Sequence, residues 1–377
     1  MNKRHIFTWI LVACAATNTV SQNPVPDSLM KKALEHNKTL KVARESFQVA
    51  LLEAGTGNAP PNPEVEFGYL FGNPADMGNR MDFSVSQQVD FPTTYIHRSR
   101  LRKIKTSRAE LAYLATRQEV LLQAKQLWIE QIFLNRQEQL LSARLDQAER
   151  INEHQRQMVD AGESAQLAYN QSSIHLTTLQ SEYAHVQSEI HRNQLAIREI
   201  AGGVVVEINA SEFPLPAMIV ADSLLADYSQ SPELQLHIHM QELKAGQKSV
   251  IAAENLPKLS AGYYSETVLD QKFKGFQVGV TIPLWENSNR IKKAKSEVSF
   301  AEAETQRFTL LQQTELLQKL EQLESLKSRS EQLEETLAAG NSMELLTLAM
   351  ESGEISLSEY YYASDFYFRS QQQLLEQ

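Results

Sequence analysis

Acidic residues are concentrated around two glycines in segments of similar sequence, MVDAGESAQL (158–167) and MESGEISLSEY (350–360). The residues concerned are Asp160, Gly162, Glu163, Glu351, Gly353 and Glu354. Clustered carboxylates favour cations in channels. Glutamate is also favourable near a helix N-terminus, because it offsets the positive end of the helix dipole. The two segments therefore indicate either a cation-attracting site or capped helical turns.

Other residues that could take part in catalysis or metal binding form no recognisable site in the sequence. His237 and His239 are two positions apart, so on a helix they point to different faces and cannot form a metal-binding pair. The nine histidines are scattered, and none has the spacing of a zinc site. No nucleophile–base pair, glycine-rich phosphate loop or cysteine cluster occurs. We therefore expect no catalytic residue, no enzymatic activity, no metal and no cofactor.

The composition indicates which elements position these residues. Gln, Glu, Leu, Ala and Ser dominate, whereas the 377 residues include only 14 Gly and 12 Pro. Such a balance is typical of long helices and coiled coils. The net charge is −10, and no basic stripe with interleaved aromatic residues is present, which argues against a nucleic-acid partner.

The N-terminal segment is predicted to be a secretory signal peptide over residues 1–21. A basic MNKRH precedes an apolar IFTWILVACAA that is too short to span a bilayer, and small residues follow. Cys14 lies in LVAC, which fits a lipobox, so it is a candidate for lipidation; the alternative is one more residue of the apolar region. No later stretch has the roughly 18 apolar residues of a transmembrane helix. An exported chain of this kind is either periplasmic or an outer-membrane protein.

The chain repeats one order of elements in two halves. Pro63 and Pro257 are 257 − 63 = 194 residues apart, and Gly162 and Gly353 are 353 − 162 = 191 apart. Near-constant offsets indicate a tandem duplication. We predict a first repeat over 22–200, a linker or equatorial segment over 201–230, and a second repeat over 231–377. Each repeat is expected to contain a helix, a β-hairpin, a long helix and a return helix.

Alternating apolar and polar residues predict the hairpins at 63–91 and 257–285, with polar loops at GNPADMGNRM (72–81) and SETVLDQKFKG (265–275). Strands of about nine to eleven residues are long enough to cross a bilayer when tilted. We favour a transmembrane role over half-buried hairpins packed on the helices. The residues expected to face lipid are Val65, Phe67, Tyr69, Phe83, Val85, Phe276, Val278, Val280 and Ile282.

Four strands are too few to form a membrane pore alone. An open sheet edge cannot face lipid because its backbone N–H and C=O groups find no partners there. Single-chain barrels begin at about eight strands. Several copies must therefore share one barrel, and three copies supply twelve strands.

The helical segments also predict assembly. Residues 93–160 contain no Pro or Gly, and at about 1.5 Å per residue they form a helix about 100 Å long. A second long helix is predicted over 288–350, and shorter helices over 28–56, 166–200, 231–254 and 356–377. Leucines at coiled-coil spacing line the long helices. We expect one layer of antiparallel helices, half of them built from two short pieces, that closes into a cylinder with other copies.

This pattern resembles the TolC-like outer-membrane efflux protein family over essentially the whole mature chain. The resemblance rests on SPELQ with its partner NKTLK, on AAENLPKLSAGYYS, on FQVGVTIPLWENSNR, and on the two glycine segments in tandem order. FSVSQQVDFPTTY, together with PLWENSNR, is most similar to the heavy-metal and cation efflux branch.

The resemblance implies a mainly α fold in which a trimeric twelve-stranded β-barrel in the outer membrane continues as an α-helical coiled-coil barrel in the periplasm. It implies an exit duct for efflux of metals or drugs, with a periplasmic adaptor and an inner-membrane pump, most typically of the RND type, as partners. It places the glycine segments at the periplasmic tip, where three copies would form a carboxylate ring. The alternatives are a pore-less periplasmic coiled-coil scaffold or the duct of a type I protein secretion system.

Overall fold

The computed structural model describes residues 27–74, 77–162, 166–214, 221–283, 285, 289–338 and 342–377. The chain is mainly helical and contains one small antiparallel sheet, as predicted. The elements are, in order, α1 (Asp27–His36), α2 (Lys38–Gly55), β1 (Glu64–Leu70), β2 (Arg80–Val89), α3 (Pro92–Asp160), α4 (Gln166–Ile200), α5 (Ala221–Ser229), α6 (Pro232–Glu254), β3 (Lys258–Val268), β4 (Gln271–Thr281), α7 (Arg290–Ala338), α8 (Ser342–Glu351) and α9 (Leu357–Glu376).

The long helix α3 organises the helical layer. It has 69 residues, begins with Pro92, whose fixed φ suits a first helical turn, and continues until the turn at Gly162. Helices α2 and α4 pack on α3, and α6 and α9 also contact it; α7 packs on α6. None of the helices in the described ranges combines the length and the apolar composition that a membrane-crossing helix requires.

Two short helices meet end to end beside the middle of α3. The Asn37 side chain accepts a hydrogen bond from the amide of Leu40 at 3.0 Å, which caps the start of α2. The same side chain donates to the carbonyl of Ile200 at 2.9 Å, which is the last residue of α4. One buried asparagine therefore joins the end of α4 to the start of α2.

Apolar side chains are buried at three levels along α3. The largest cluster contains Leu29, Trp128, Ile132 and Ile197, and it holds α1 and α4 on the middle of α3. A second cluster, around Leu141 and Val186, joins α3 to the middle of α4, and a third joins α3 to α6. Complete burial of a side chain such as Ile132 contributes roughly 2–3 kcal/mol.

The sheet has the strand order β1-β2-β3-β4, so each strand pairs with its neighbour in sequence. Val65 lies opposite Val85, Val85 opposite Tyr263, and Tyr263 opposite Phe276. The pairing between β2 and β3 joins the hairpin of the first half to that of the second half. Strands β1 and β4 are the edges, and each pairs on one side only within the described chain.

The second hairpin differs from the predicted one. Its loop was expected at 265–275, but β3 and β4 occupy those positions and a two-residue turn at Leu269 and Asp270 joins them. Both turn residues have positive φ, 48° and 61°. Strand β4 ends at Thr281, before the predicted end of the hairpin at 285.

The helices depart from the prediction at two places. The segment 28–56 was expected to be one helix, but it forms α1 and α2 because the Asn37 cap interrupts it. The second long helix, expected over 288–350, is α7 followed by α8, and residues 339–341 between them lie outside the described part of the chain.

Candidate membrane-facing sheet and glycine turns

The sheet has one face on which apolar residues of all four strands lie side by side. Directly opposite residues of antiparallel strands share a face. The register therefore puts eight of the predicted lipid-facing residues on one side of the sheet: Val65, Phe67, Tyr69, Phe83, Val85, Phe276, Val278 and Val280. The ninth, Ile282, directly follows β4 and is 62% exposed.

Most of these apolar side chains are exposed, and Val85 is of intermediate exposure. Phe276 is 91% exposed and Val278 is 84% exposed, and Phe67 on β1 is 66% exposed. An apolar surface of this kind, left bare on a folded chain, marks a surface that contacts lipid or another protein. The alternative prediction, in which this face packs on the helices, does not fit these exposures.

The opposite face of the sheet is mostly polar, with Leu70 and Phe273 as exceptions, and it carries a network that was not predicted from the sequence. The guanidinium of Arg80 lies 2.9 Å from a carboxylate oxygen of Asp82 and 3.0 Å from one of Glu266. The Tyr264 hydroxyl accepts a hydrogen bond from Arg80 and donates to Asp82, both at 3.0 Å. The network joins β2 to β3 and therefore the two hairpins. Arg80 and Glu266 fell inside the predicted loops, so their strand positions were not recognised.

A second network lies where the sheet gives way to the helices. Arg98 on α3 contacts Asp90, which follows β2, at 2.8 Å and Glu254 at the end of α6 at 3.0 Å. Glu254 also contacts Arg290 at the start of α7 at 3.2 Å. Lys258 on β3 lies 3.9 Å from Asp90. The network links both halves of the chain at one level.

At the far ends of the long helices the two predicted glycine turns have the same backbone form. Gly162 has φ 74° and Gly353 has φ 78°, and a Cβ atom at either position would have no neighbour within 4 Å. The amide of Gly353 donates to Met350 at 3.1 Å, and the amide of Glu354 donates to Ala349 at 2.8 Å. This pair of bonds is the Schellman motif that ends a helix.

The acidic residues of these turns are exposed in the structure. This holds for Asp160, Glu351 and Glu354, whereas Glu163 lies outside the described residues. The return helix α9 is capped instead by Ser356 and Glu359, which exchange hydrogen bonds as a capping box. Accepting these bonds from Ser356 lowers the pKa of Glu359. Helix capping therefore does not account for Glu351 or Glu354.

The two turns lie at different levels. Gln147 on α3 donates to the Tyr360 hydroxyl on α9 at 2.5 Å, so these two positions are side by side. Gln147 precedes Gly162 by 15 residues, whereas Tyr360 follows Gly353 by 7 residues. This pair gives an offset of 15 − 7 = 8 residues, and the hydrogen bond between Ser358 and Gln171 gives 9 − 5 = 4 residues, so the offset is about 6–12 Å along the helices. The acidic residues of the two turns are therefore offset along the helices within one copy.

A partly buried polar and aromatic cluster connects α3, α4 and α9 above these turns. The ring of His175 lies on that of Tyr361, with ring centroids 4.3 Å apart. The guanidinium of Arg144 lies 4.4 Å from the centre of the Phe368 ring and 3.6 Å from a carboxylate oxygen of Asp365. Burial lowers the pKa of His175, and the charge of Arg144 lowers it further, while Asp365 acts in the opposite direction. Burial also raises the pKa of the Tyr361 hydroxyl.

The remaining residues singled out in the sequence do not form a common site in the described part of the chain. His237 stacks on Phe308 with ring centroids 3.9 Å apart, and His239 lies 3.3 Å from Glu242, so the two histidines have separate surroundings. No group of three or more His, Cys, Asp or Glu side chains suited to a metal ion occurs in the described ranges. Cys14 and the predicted signal peptide lie outside those ranges.

Comparison with known proteins gives one family match. Residues 29–203 match the model of a family described as outer membrane efflux protein. These residues run from α1 to the end of α4 and include the first hairpin. The predicted resemblance to the TolC-like efflux proteins is thereby confirmed. No curated protein matches the chain.

Solved structures that include outer-membrane channels share the fold over 93% of this chain. The Campylobacter jejuni CmeC outer membrane channel matches with a TM-score of 0.75 and 16% identity, over 93% of this chain and 81% of that one. The Vibrio cholerae outer membrane protein VceC gives 0.76 and 14%, over 93% and 91%. CusC gives 0.71 and 17%, over 93% and 87%. At such low identity these likenesses establish the fold.

Proposed function

We propose that this chain, an outer membrane efflux family protein over residues 29–203, forms the outer-membrane exit duct of a tripartite efflux system. The observation that carries the proposal is the sheet with one exposed apolar face and one polar face. Lipid covers the first face and the water of the duct wets the second. Substrates pass through passively, driven by a partner pump.

The unpaired edges of the sheet support assembly from three copies. Strand β1 of one copy pairs with β4 of the next, so that no backbone donor or acceptor of an edge faces lipid. Three sheets of four strands give a closed barrel of twelve. The helical layer continues each sheet through the network around Arg98, so the same threefold closure forms the coiled-coil barrel in the periplasm.

The edges of the helical layer fit this closure. Exposed apolar residues lie on the outer helices, among them Val42 and Leu52 on α2 and Phe300 and Leu310 on α7. Contact between α7 of one copy and α2 and α4 of the next buries these side chains. A periplasmic adaptor and an inner-membrane pump of the RND type are the proposed partners at the other end of the duct.

The glycine turns are proposed as the periplasmic entrance. Asp160 near Gly162 and Glu351 and Glu354 near Gly353 would form two carboxylate rings about 6–12 Å apart in a trimer. Glu163 is proposed to belong to the first of them. Stacked rings of this charge favour cations at the entrance.

Two double substitutions in β4 test the membrane assignment. Val278→Arg with Val280→Arg places two charges on the apolar face, at about 2–4 kcal/mol each near the middle of a bilayer. The matched control is Gln277→Arg with Thr281→Arg, because these exposed residues lie on the polar face of the same strand. Membrane flotation and heat-modifiable mobility on gels measure insertion and assembly.

We expect the apolar-face variant to be lost from the membrane fraction and the polar-face variant to remain there as a heat-sensitive oligomer. Full insertion of the Val278 and Val280 variant contradicts the assignment of this face to lipid and with it the proposed barrel. Absence of the unchanged protein from the membrane fraction contradicts the duct and leaves a periplasmic scaffold as the function. Loss of both variants alike contradicts the assignment of the two faces.

A further inference from the structure

A groove between α2 and α3 combines positive charge with an apolar floor. It has a volume of about 380 Å³ and is lined on α3 by Lys105, Arg108, Ala112 and Tyr113, and on α2 by Phe47 and several small residues. Small side chains, namely Ala43, Ser46, Ala50, Ala54, Ala109 and Ala112, keep the groove open. A volume of a few hundred Å³ matches a small organic molecule.

The cations of the groove are not neutralised by the protein. Lys105 and Arg108 are three positions apart on α3, so they lie on one face. Neither forms an ion pair within 4.0 Å in the described part of the chain. The Nε–H of Arg108 is buried and has no hydrogen-bond partner among the described residues. Glu53 is the single carboxylate in the lining, so the groove carries a net positive charge.

Aromatic rings supply the apolar part of the groove. Phe47 on α2 and Tyr113 on α3 stack with ring centroids 6.4 Å apart and an interplanar angle of 30°. A bound molecule that carries an aromatic or aliphatic body would contact these rings while an anionic group reaches Lys105 and Arg108. The lining therefore suits an amphiphilic organic anion.

Arg98 relates the position of the groove to the polar sheet face. Asp90 lies beside Lys258, a residue of that face, and Asp90 pairs with Arg98 on α3. Lys105 follows Arg98 by seven residues, so the two project from α3 within about 20° of each other. If the polar face lines the duct, as proposed above, the groove lies in the wall of the duct.

We propose that this groove binds amphiphilic organic anions in transit and so gives the duct a wall site for such substrates. The site rests on the proposed function for its position in the duct, but its binding chemistry needs only the α2–α3 pair. Lys105 and Arg108 bind the anionic group of the substrate. Phe47 and Tyr113 contact its apolar body.

The test is binding of 1-naphthalenesulfonate, measured by titration calorimetry on the full-length protein in lipid nanodiscs, with empty nanodiscs as the blank. We expect the double substitution Lys105→Gln with Arg108→Gln to raise Kd about tenfold, the effect of losing one charge-assisted hydrogen bond. The control Arg100→Gln with Lys103→Gln removes the same charge from exposed positions outside the groove lining and should leave Kd within about twofold. The uncharged analogue 1-naphthylmethanol should bind much more weakly.

A third variant, Ala112→Phe, fills the groove from an exposed position without removing a charge, and it should abolish binding. If the Ala112→Phe variant keeps the affinity of the unchanged protein, the site is overturned. This variant retains both cations, so it tests the site even if the double charge variant does not fold. Equal weakening by the two charge variants, or no binding by the unchanged protein, overturns it as well. Channel conductance of the same samples is read separately: its absence contradicts the duct, whereas normal conductance without binding contradicts only the groove.

Discussion

At the scale of single residues, acidic and basic side chains of the candidate sites lie at different distances from the sheet. The carboxylates of Asp160, Glu351 and Glu354 lie at the glycine turns, and the cations of Lys105 and Arg108 lie close to the sheet. A cation entering at the turns would therefore meet negative charge first and positive charge later. The two ends of the proposed duct differ in the ions that they favour.

The entrance is tested by Glu354→Gln. Removing one carboxylate per chain lowers the local attraction for cations, so we expect the permeability ratio of cations to anions to fall by up to about twofold at low salt. The effect should shrink at 1 M salt, because the screening length is then only about 3 Å. Reversal potentials in planar bilayers under a salt gradient measure the ratio.

The control for this substitution is Glu110→Gln. Glu110 is exposed on α3 and lies seven residues after Lys103, on the face of α3 away from the groove. Its loss should leave the ratio unchanged. Equal ratios for the unchanged protein and for Glu354→Gln exclude a role of this carboxylate at the entrance.

Some residues of the candidate sites were predictable because their signals are local. Alternation alone assigns Val278 and Val280 to one face, and a glycine within an acidic segment predicts the turns. Arg80 and Arg98 were missed as network residues, because their partners Glu266 and Glu254 are distant in sequence. Contacts of that kind follow from strand pairing and helix packing, which no local pattern contains.

At the scale of elements, the faces of the strands were predictable and their ends were not. Positive φ at Leu269 and Asp270 allows the tightest hairpin turn, but leucine rarely adopts this conformation and therefore gives no turn signal. The helix break at Asn37 was hidden for a related reason, since the bond to Ile200 that fixes it comes from α4. In both cases tertiary structure decides the boundary.

The glycine turns give an element-scale prediction. Gly353→Ala meets no atom within 4 Å, so its cost arises only from the left-handed backbone, at about 1 kcal/mol. We expect faster proteolysis at this turn and a lower melting temperature of the assembly. Gly275→Ala in β4 is the control, because its Cβ also has no neighbour within 4 Å and its φ is not positive. Identical behaviour of the two variants contradicts a strained turn.

At the scale of the whole molecule, a sheet that is open at both edges continues into one layer of long helices with little buried surface. Helix α3 is about 100 Å long, and its buried side chains form three separate clusters rather than one core. Such a shape gains burial by closing with further copies of itself. The same closure removes the free edges of the sheet and encloses the polar face.

We propose above that the closed assembly is a water-filled passage through the outer membrane. The most direct measurement is the electrical current through planar lipid bilayers to which the purified, membrane-inserted protein has been added. We expect discrete conductance steps of uniform size, each from one oligomer. Bilayers that contain the inserted protein and yet pass no current above the lipid background would contradict it.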